Sequence, residues 1–95
     1  MFRAARKDTN HAQIVGYFRK FGCSVADVSQ IKNMCDLFVS KNFKTVAVEI
    51  KDGARTQSEQ ALTAGEEKFA KSWKGIYVIV KDLSDVIAVV KGLER

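Results

Sequence analysis

Three charged residues that could together hold a metal ion and a phosphate lie at the ends of two adjacent predicted strands. Asp36 begins the first strand, and Glu49 and Lys51 end the second. Folding the hairpin symmetrically about the connection 41–44 brings Asp36 opposite Glu49. Residues two apart on a strand share a face, so Lys51 joins the two acids. A divalent cation beside a phosphate would pair all three charges.

The alternate positions of the same hairpin are apolar and predict a buried face. They are Leu37, Val39, Val46, Val48 and Ile50. Taken alone, a Glu-x-Lys pair at a strand end is more often a solvated ion pair than a site. The position of Asp36, in register with Glu49, favours the functional interpretation.

The pattern before the hairpin predicts a helix and a first strand. Asp8 or Thr9 caps the helix, which runs to about Lys20, and Gly22 fits the left-handed residue beyond its end. The first helix carries an apolar stripe at helical spacing, typical of a core-facing helix. The strands in chain order are predicted at 23–28, 35–40, 45–51 and 76–80.

The pattern after the hairpin predicts a second helix, the fourth strand and a third helix. Thr63 and Glu66 form a capping box that opens the second helix, and Ser84 or Asp85 caps the last. Residues 54–61 are predicted to be an exposed loop. The resulting order predicts an α/β fold, a mixed sheet flanked by helices, with an αβββαβ core and a C-terminal helix.

The bulk composition narrows the class of protein. Ninety-five residues predict one domain over 1–95, and the net charge of +5 favours an anionic partner, of which nucleic acid is the commonest. A basic protein without such a partner is the alternative. Cys23 and Cys35 stand without a Cys/His cluster, which argues against a zinc knuckle or a disulfide scaffold. No apolar run predicts a membrane span or a signal peptide, so an intracellular protein of the bacterial cytoplasm is expected.

Asp36, Glu49 and Lys51 form a triad. This triad, in this order of elements, resembles the PD-(D/E)XK nuclease superfamily, in particular its small virus-type replication-repair (VRR-NUC) branch of stand-alone phage proteins. The likeness covers nearly the whole chain, from Asp8 to about Leu93. Beyond the triad, it is carried by the segments 7–15, 22–25, 48–53 and 62–69 and by Trp73. The proline that usually precedes the first acid of this family is replaced by Cys35.

The resemblance implies a metal-dependent phosphodiesterase site. Asp36 and Glu49, with the backbone carbonyl of Ile50, would coordinate Mg²⁺ or Mn²⁺. Lys51 would orient the attacking water or stabilise the transition state. Gln13 stands where the opening helix of the family often carries a glutamate that faces the metal. It would act as a neutral residue near the metal-bound water.

Four residues near the triad are predicted to contact nucleic acid. They are Arg6, Lys7, His11 and Arg55. The first two flank the start of the opening helix, and Arg55 lies in the loop beside the triad. His11 is equally well explained as an ordinary residue of the helix start. Contacts of this kind fix position on the phosphates without reading sequence.

The sequence therefore predicts a metal-dependent DNA endonuclease. The resemblance implies structure selectivity, as in Holliday-junction resolvases, with branched DNA as substrate, a homodimer as the active form and a phage or prophage gene as the source. The alternative is a catalytically weak or inactive nucleic-acid-binding module of the same fold. A structural or inhibitory phage protein built on this scaffold is a third interpretation.

Overall fold

The computed structural model of the chain describes residues 9–52 and 61–95. The elements in these two ranges are α1 (His11–Lys20), β1 (Ser24–Asp27), β2 (Leu37–Lys41), β3 (Lys44–Ile50), α2 (Ala64–Ser72), β4 (Ile76–Val80) and α3 (Leu83–Leu93). The predicted α/β class and the predicted order of elements are confirmed. The strands lie within one or two residues of their predicted bounds. The predicted cap Asp8 and most of the predicted loop 54–61 lie outside the described residues.

The strands form one mixed sheet in the order β1-β2-β3-β4. β1, β2 and β3 follow one another as antiparallel neighbours. β4 pairs parallel with β3. A parallel pair needs a crossover connection, and α2 lies in the segment that supplies it.

The sheet buries a different set of side chains on each face. One face packs against α1 and α3, and its hairpin members, predicted as core, are all at most 3% exposed: Leu37, Val39, Val46, Val48 and Ile50. On the other face, Phe38 and Tyr77 of the sheet are half-buried against the rings of Phe69 in α2 and of Trp73, which follows α2. None of the helices within the described ranges is long and apolar enough to cross a membrane.

The β2–β3 hairpin is tighter than the predicted four-residue connection. Lys41 and Lys44 pair as the last rung of the ladder, so only Asn42 and Phe43 form the turn. Their φ angles, 55° and 64°, are both left-handed, as a two-residue type I′ turn requires. Its twist matches that of the strands, which is why the shorter turn is preferred.

Two helix caps differ from the prediction. Asn10, rather than Asp8 or Thr9, is the N-cap of α1, while the Thr9 hydroxyl donates a 2.5 Å hydrogen bond to Asp52. Asp82, rather than Ser84 or Asp85, caps α3 by accepting the Asp85 N–H at 3.0 Å. Asn10 makes no side-chain capping bond, and its amide donates instead to the carbonyls of Lys51 and Lys81. Asp82 stands three residues before Asp85, the spacing at which a side chain caps a helix. The predicted left-handed Gly22 is confirmed, with φ of 85°.

The type I′ turn places Phe43 in a backbone conformation that is unfavourable for a residue with a Cβ atom. Its side chain is fully exposed, and its backbone is left-handed. A non-glycine residue in this conformation costs about 1–2 kcal/mol. We expect Phe43→Gly to raise the free energy of unfolding by about 1 kcal/mol, measured by urea denaturation.

Phe43→Ala is the matched control for that measurement, because it removes the ring but keeps the Cβ atom. We expect its stability to stay within about 0.5 kcal/mol of wild type. Equal stability of the two variants would contradict a backbone origin of the effect.

Candidate metal and phosphate site

Asp36 is held at the open end of the hairpin by its own backbone and side chain. Its N–H donates to the Val48 carbonyl at 3.0 Å, and its carbonyl accepts the Val28 N–H at 2.9 Å. Its Oδ2 accepts the Ile50 N–H at 2.8 Å. Since Leu37 pairs with Val48, the next position outward sets Asp36 beside Glu49, as the sequence predicts.

Glu49 carries a carboxylate into the interior of the protein. The residue is 2% exposed. Its Oε2 lies 3.8 Å from Lys51 Nζ. Its Oε1 is buried, and no described residue donates a hydrogen bond to it. A buried carboxylate oxygen of this kind is costly unless a proton or a cation binds it.

The surroundings of Glu49 favour its neutral form. Burial is the largest cause, followed by the charge of Asp36 and then that of Glu66, and together they raise the pKa of Glu49 to about 10. Carboxyl groups this close cannot all ionise without a counter-charge. The same arrangement therefore suits either a bound proton or a bound metal cation.

Lys51 lies just beyond β3 and is 7% exposed. Its backbone N–H donates to the Val80 carbonyl at 3.0 Å, which extends the β3–β4 pairing by one residue. The Asn10 amide donates to the Lys51 carbonyl at 3.2 Å and to the Lys81 carbonyl at 2.9 Å. The Asn10 side chain, at the start of α1, thus joins the residues that directly follow β3 and β4.

Glu66 completes a charged cluster with Asp36, Glu49 and Lys51. Its Oε1 lies 3.0 Å from Lys51 Nζ. In the sequence, Glu66 follows the core strand and could lie near the site, but its role in the capping box is a sufficient reason for the residue, and its contact with Lys51 joins positions fifteen residues apart. The capping box does predict that α2 begins shortly after Lys51 in the sequence.

Tyr77 is a second residue that the sequence did not indicate. Its hydroxyl is buried without a described hydrogen-bond partner. Burial, and then the charges of Glu49 and Glu66, raise the pKa of Tyr77 above its ordinary value of 10. The hydroxyl therefore stays protonated beside the charged cluster.

A cleft of about 190 Å³ opens beside the charged cluster. Its walls include Asp36 and Glu66 and, from the segment between β1 and β2, Lys32 and Asn33. Asn33 has a left-handed φ of 60°, which turns this segment towards α2. Lys32 is exposed and adds a positive charge at the rim of the cleft. The sequence did not single out Lys32.

The structure does not join the other predicted site residues to the charged cluster. Gln13 is exposed on α1. His11, the first residue of α1, is buried. Its Nε2 lies 2.9 Å from Oδ2 of Asp27, which is on the sheet face that packs against α1. Their predicted roles beside the metal and on nucleic acid stay predictions. The remaining predicted contacts, Arg6, Lys7 and Arg55, lie outside the described residues.

The donor set fits a hard divalent cation. Within residues 9–52 and 61–95, no group of three or more His, Cys, Asp or Glu side chains is arranged to hold a metal ion. The predicted set consists of two carboxylates and the Ile50 carbonyl, oxygen ligands of the kind that Mg²⁺ and Mn²⁺ prefer. The unpartnered Oε1 of Glu49 is the observation that favours a bound cation.

Comparison with known proteins adds no relative to this picture. No protein-family model, no curated protein and no solved structure matches the chain.

The raised pKa of Glu49 makes a prediction about stability without metal. The folded protein binds this proton more tightly than the unfolded chain, whose Glu titrates near its ordinary value of 4.5. The stability from this group is therefore complete below that value and is lost as pH rises towards the folded pKa. In EDTA, we expect Glu49→Gln to gain thermal stability relative to wild type as pH rises from about 5 to about 9.

Glu67→Gln is the control for that series, because Glu67 is an exposed carboxylate that pairs with Lys71 on the surface of α2. Its difference in melting temperature from wild type should not follow the same course with pH. A pH-independent difference between wild type and Glu49→Gln would show that Glu49 does not bind the proton as described.

Proposed function

We propose that the protein is a metal-dependent endonuclease that hydrolyses DNA phosphodiester bonds. The observation that carries the proposal is the buried Glu49 carboxylate, set beside Asp36 with an oxygen that no described residue satisfies. A buried carboxylate and a half-buried one, with a lysine beside them, suit a cation and a phosphate better than they suit packing alone.

Asp36 and Glu49, with the Ile50 carbonyl, would hold Mg²⁺ or Mn²⁺. When bound, the metal supplies a water of lowered pKa and neutralises charge on the phosphate. Asp36 is oriented for this role, since the Ile50 N–H fixes one of its oxygens.

Lys51 supplies the positive charge that the chain itself directs at the reacting phosphate. Its ammonium lies 3.0 Å from Glu66 and 3.8 Å from Glu49, so its position is set before substrate arrives. A charge that is already oriented stabilises developing negative charge without reorganisation, which is the largest single contribution in many enzymes. The adjoining cleft, with Lys32 at its rim, gives a phosphodiester access to the cluster.

DNA as the substrate class is supported by charge. The chain carries sixteen Lys and Arg residues against eleven Asp and Glu residues. The acids of the charged cluster are concentrated at one site, which leaves much of the remaining surface basic. Such a surface binds the phosphate backbone in a salt-dependent way and without reading sequence. This favours selection by DNA shape, as a junction-selective enzyme requires.

A homodimer is part of the proposal. β4 is an edge strand of five apolar or aromatic residues, and it leaves Ile76 61% and Ile79 43% exposed. An uncharged edge of this kind is a template for pairing with another chain. Two-fold symmetry would place two charged clusters on a four-way junction, one for each strand cut.

The direct test is cleavage of a labelled four-way junction, with linear duplex of matching sequence as the control. We expect nicking of the junction in Mg²⁺ or Mn²⁺ and none in EDTA. Glu49→Gln should reduce the rate by about 100-fold or more, because it removes a metal ligand. Glu67→Gln should cleave like wild type. Cleavage that survives either EDTA or Glu49→Gln would contradict the proposal.

The second candidate is a nucleic-acid-binding module of the same fold that no longer cleaves. Gln13 favours it, because an exposed neutral amide stands where the family resemblance implies an acid. An amide adds no negative charge with which to hold a cation.

Gln13→Glu separates the two candidates. If the module has lost cleavage through this residue, wild type binds the junction without nicking it, and the variant gains metal-dependent nicking. If the protein is already an endonuclease, we expect the variant to change the rate by less than about 10-fold. Asn42→Asp, which adds the same charge at the opposite end of the hairpin, controls for net charge.

A further inference from the structure

Glu66 serves two structural partners with one carboxylate oxygen. Its Oε1 accepts the Thr63 N–H at 2.9 Å, while the Thr63 hydroxyl accepts the Glu66 N–H at 3.2 Å. These two bonds form the capping box of α2. The same Oε1 also accepts a hydrogen bond from Lys51 Nζ at 3.0 Å. The start of α2 is therefore joined directly to the lysine of the charged cluster.

Of the two glutamates beside the Lys51 ammonium, Glu66 makes the closer contact. The distance from Nζ to Glu66 is 3.0 Å, against 3.8 Å to Glu49. The Lys51 side chain is 9% exposed, so its ammonium has little water around it. A charge this buried needs a close ionised partner.

Glu66 is suited to be that ionised partner. Its Oε1 accepts both the Thr63 N–H and the Lys51 ammonium, and both hydrogen bonds stabilise the charged carboxylate.

The start of α2 is also fixed from its other side. A Cβ atom at Gly65 would lie 1.8 Å from the Asn33 side-chain oxygen, so any other residue there would displace the Asn33 side chain from its contact with the start of α2. Asn33, Thr63 and Glu66 all line the cleft. The carboxylate that holds Lys51 is therefore held in turn at the wall of the cleft where substrate would enter.

We propose that Glu66 is a positioning residue, which holds the Lys51 ammonium in the orientation that acts on the substrate phosphate. This role rests on the proposed nuclease function. It also extends that function, because it makes the order of α2 a condition for an assembled site. Glu66 touches no reacting atom in this scheme, and its hydrogen bond to the charged cluster is made to Lys51.

Glu66→Gln isolates this role from capping. Glutamine at the third helical position completes a capping box as glutamate does, so the start of α2 should persist. What the variant loses is the negative charge beside Lys51. Glu67→Gln is the matched control, since it makes the same change at the next position, where the carboxylate pairs only with the exposed Lys71 among the described residues.

Two readouts follow each variant: steady-state cleavage of the junction in Mg²⁺, and the rate at which Lys51 is acylated by an amine-reactive reagent, followed by mass spectrometry. Acylation is normalised to the exposed Lys91. For Glu66→Gln we expect kcat to fall about 10–100-fold with KM changed by less than about 2-fold, as for other residues that orient a reacting group. We expect acylation of Lys51 to become several-fold faster, since the hydrogen bond that now holds its Nζ to Glu66 is weakened and the reagent reaches the amine more often.

The results separate this proposal from the proposed function. Faster acylation together with a lower kcat supports both. Unchanged acylation of Lys51 overturns the positioning role, whatever happens to cleavage. If wild type cleaves no DNA in either metal, the nuclease function fails, and faster acylation still shows that Glu66 holds Lys51. A lower kcat matched by an equal loss of folded protein, seen by circular dichroism, also overturns the positioning role and assigns Glu66 to capping alone.

Discussion

The arrangement of the site depends on one energetically unfavourable feature, the burial of the Glu49 carboxylate beside Asp36. Isolated carboxylates are not carried into a protein interior without compensation, and the interior of a chain this small has little stability to spare. The neighbours of Glu49 in its strand, Val48 and Ile50, are apolar and pack on the opposite face of the sheet. Strand pairing and packing therefore hold the carboxylate in place, while its Oε1 has no hydrogen-bond partner among the described residues.

Strand register is what makes the pair possible. The two-residue turn at Asn42 and Phe43 fixes every rung of the hairpin up to Leu37 and Val48. A slip of one residue would move each side chain to the other face and separate the acids. The turn at one end of the hairpin thus determines which side chains meet at the other end, six residues away along each strand.

Much of this was predictable because it follows from period-two alternation and a short connection. The apolar face of the hairpin, the pairing of Asp36 with Glu49 and the capping box of Thr63 were all readable in that way. The cap at Asn10 was not, because the carbonyls to which its amide donates, those of Lys51 and Lys81, are distant in the sequence. The cap at Asp82 was not, because several polar residues in that run could serve. The contact of Glu66 with Lys51 was hidden because capping already explained the residue fully.

The helix that carries Glu66 buries none of its residues completely. Segments with so little buried surface are the ones that open locally while the rest of a protein stays folded, and amide hydrogen exchange detects such openings. Each opening of α2 would withdraw Glu66 from the cluster, and each closure would restore it. A ligand that binds only the closed form would draw this equilibrium towards closure by mass action. Of the three described helices, the one with no completely buried residue is thus the one that ligand binding at the site would make more rigid.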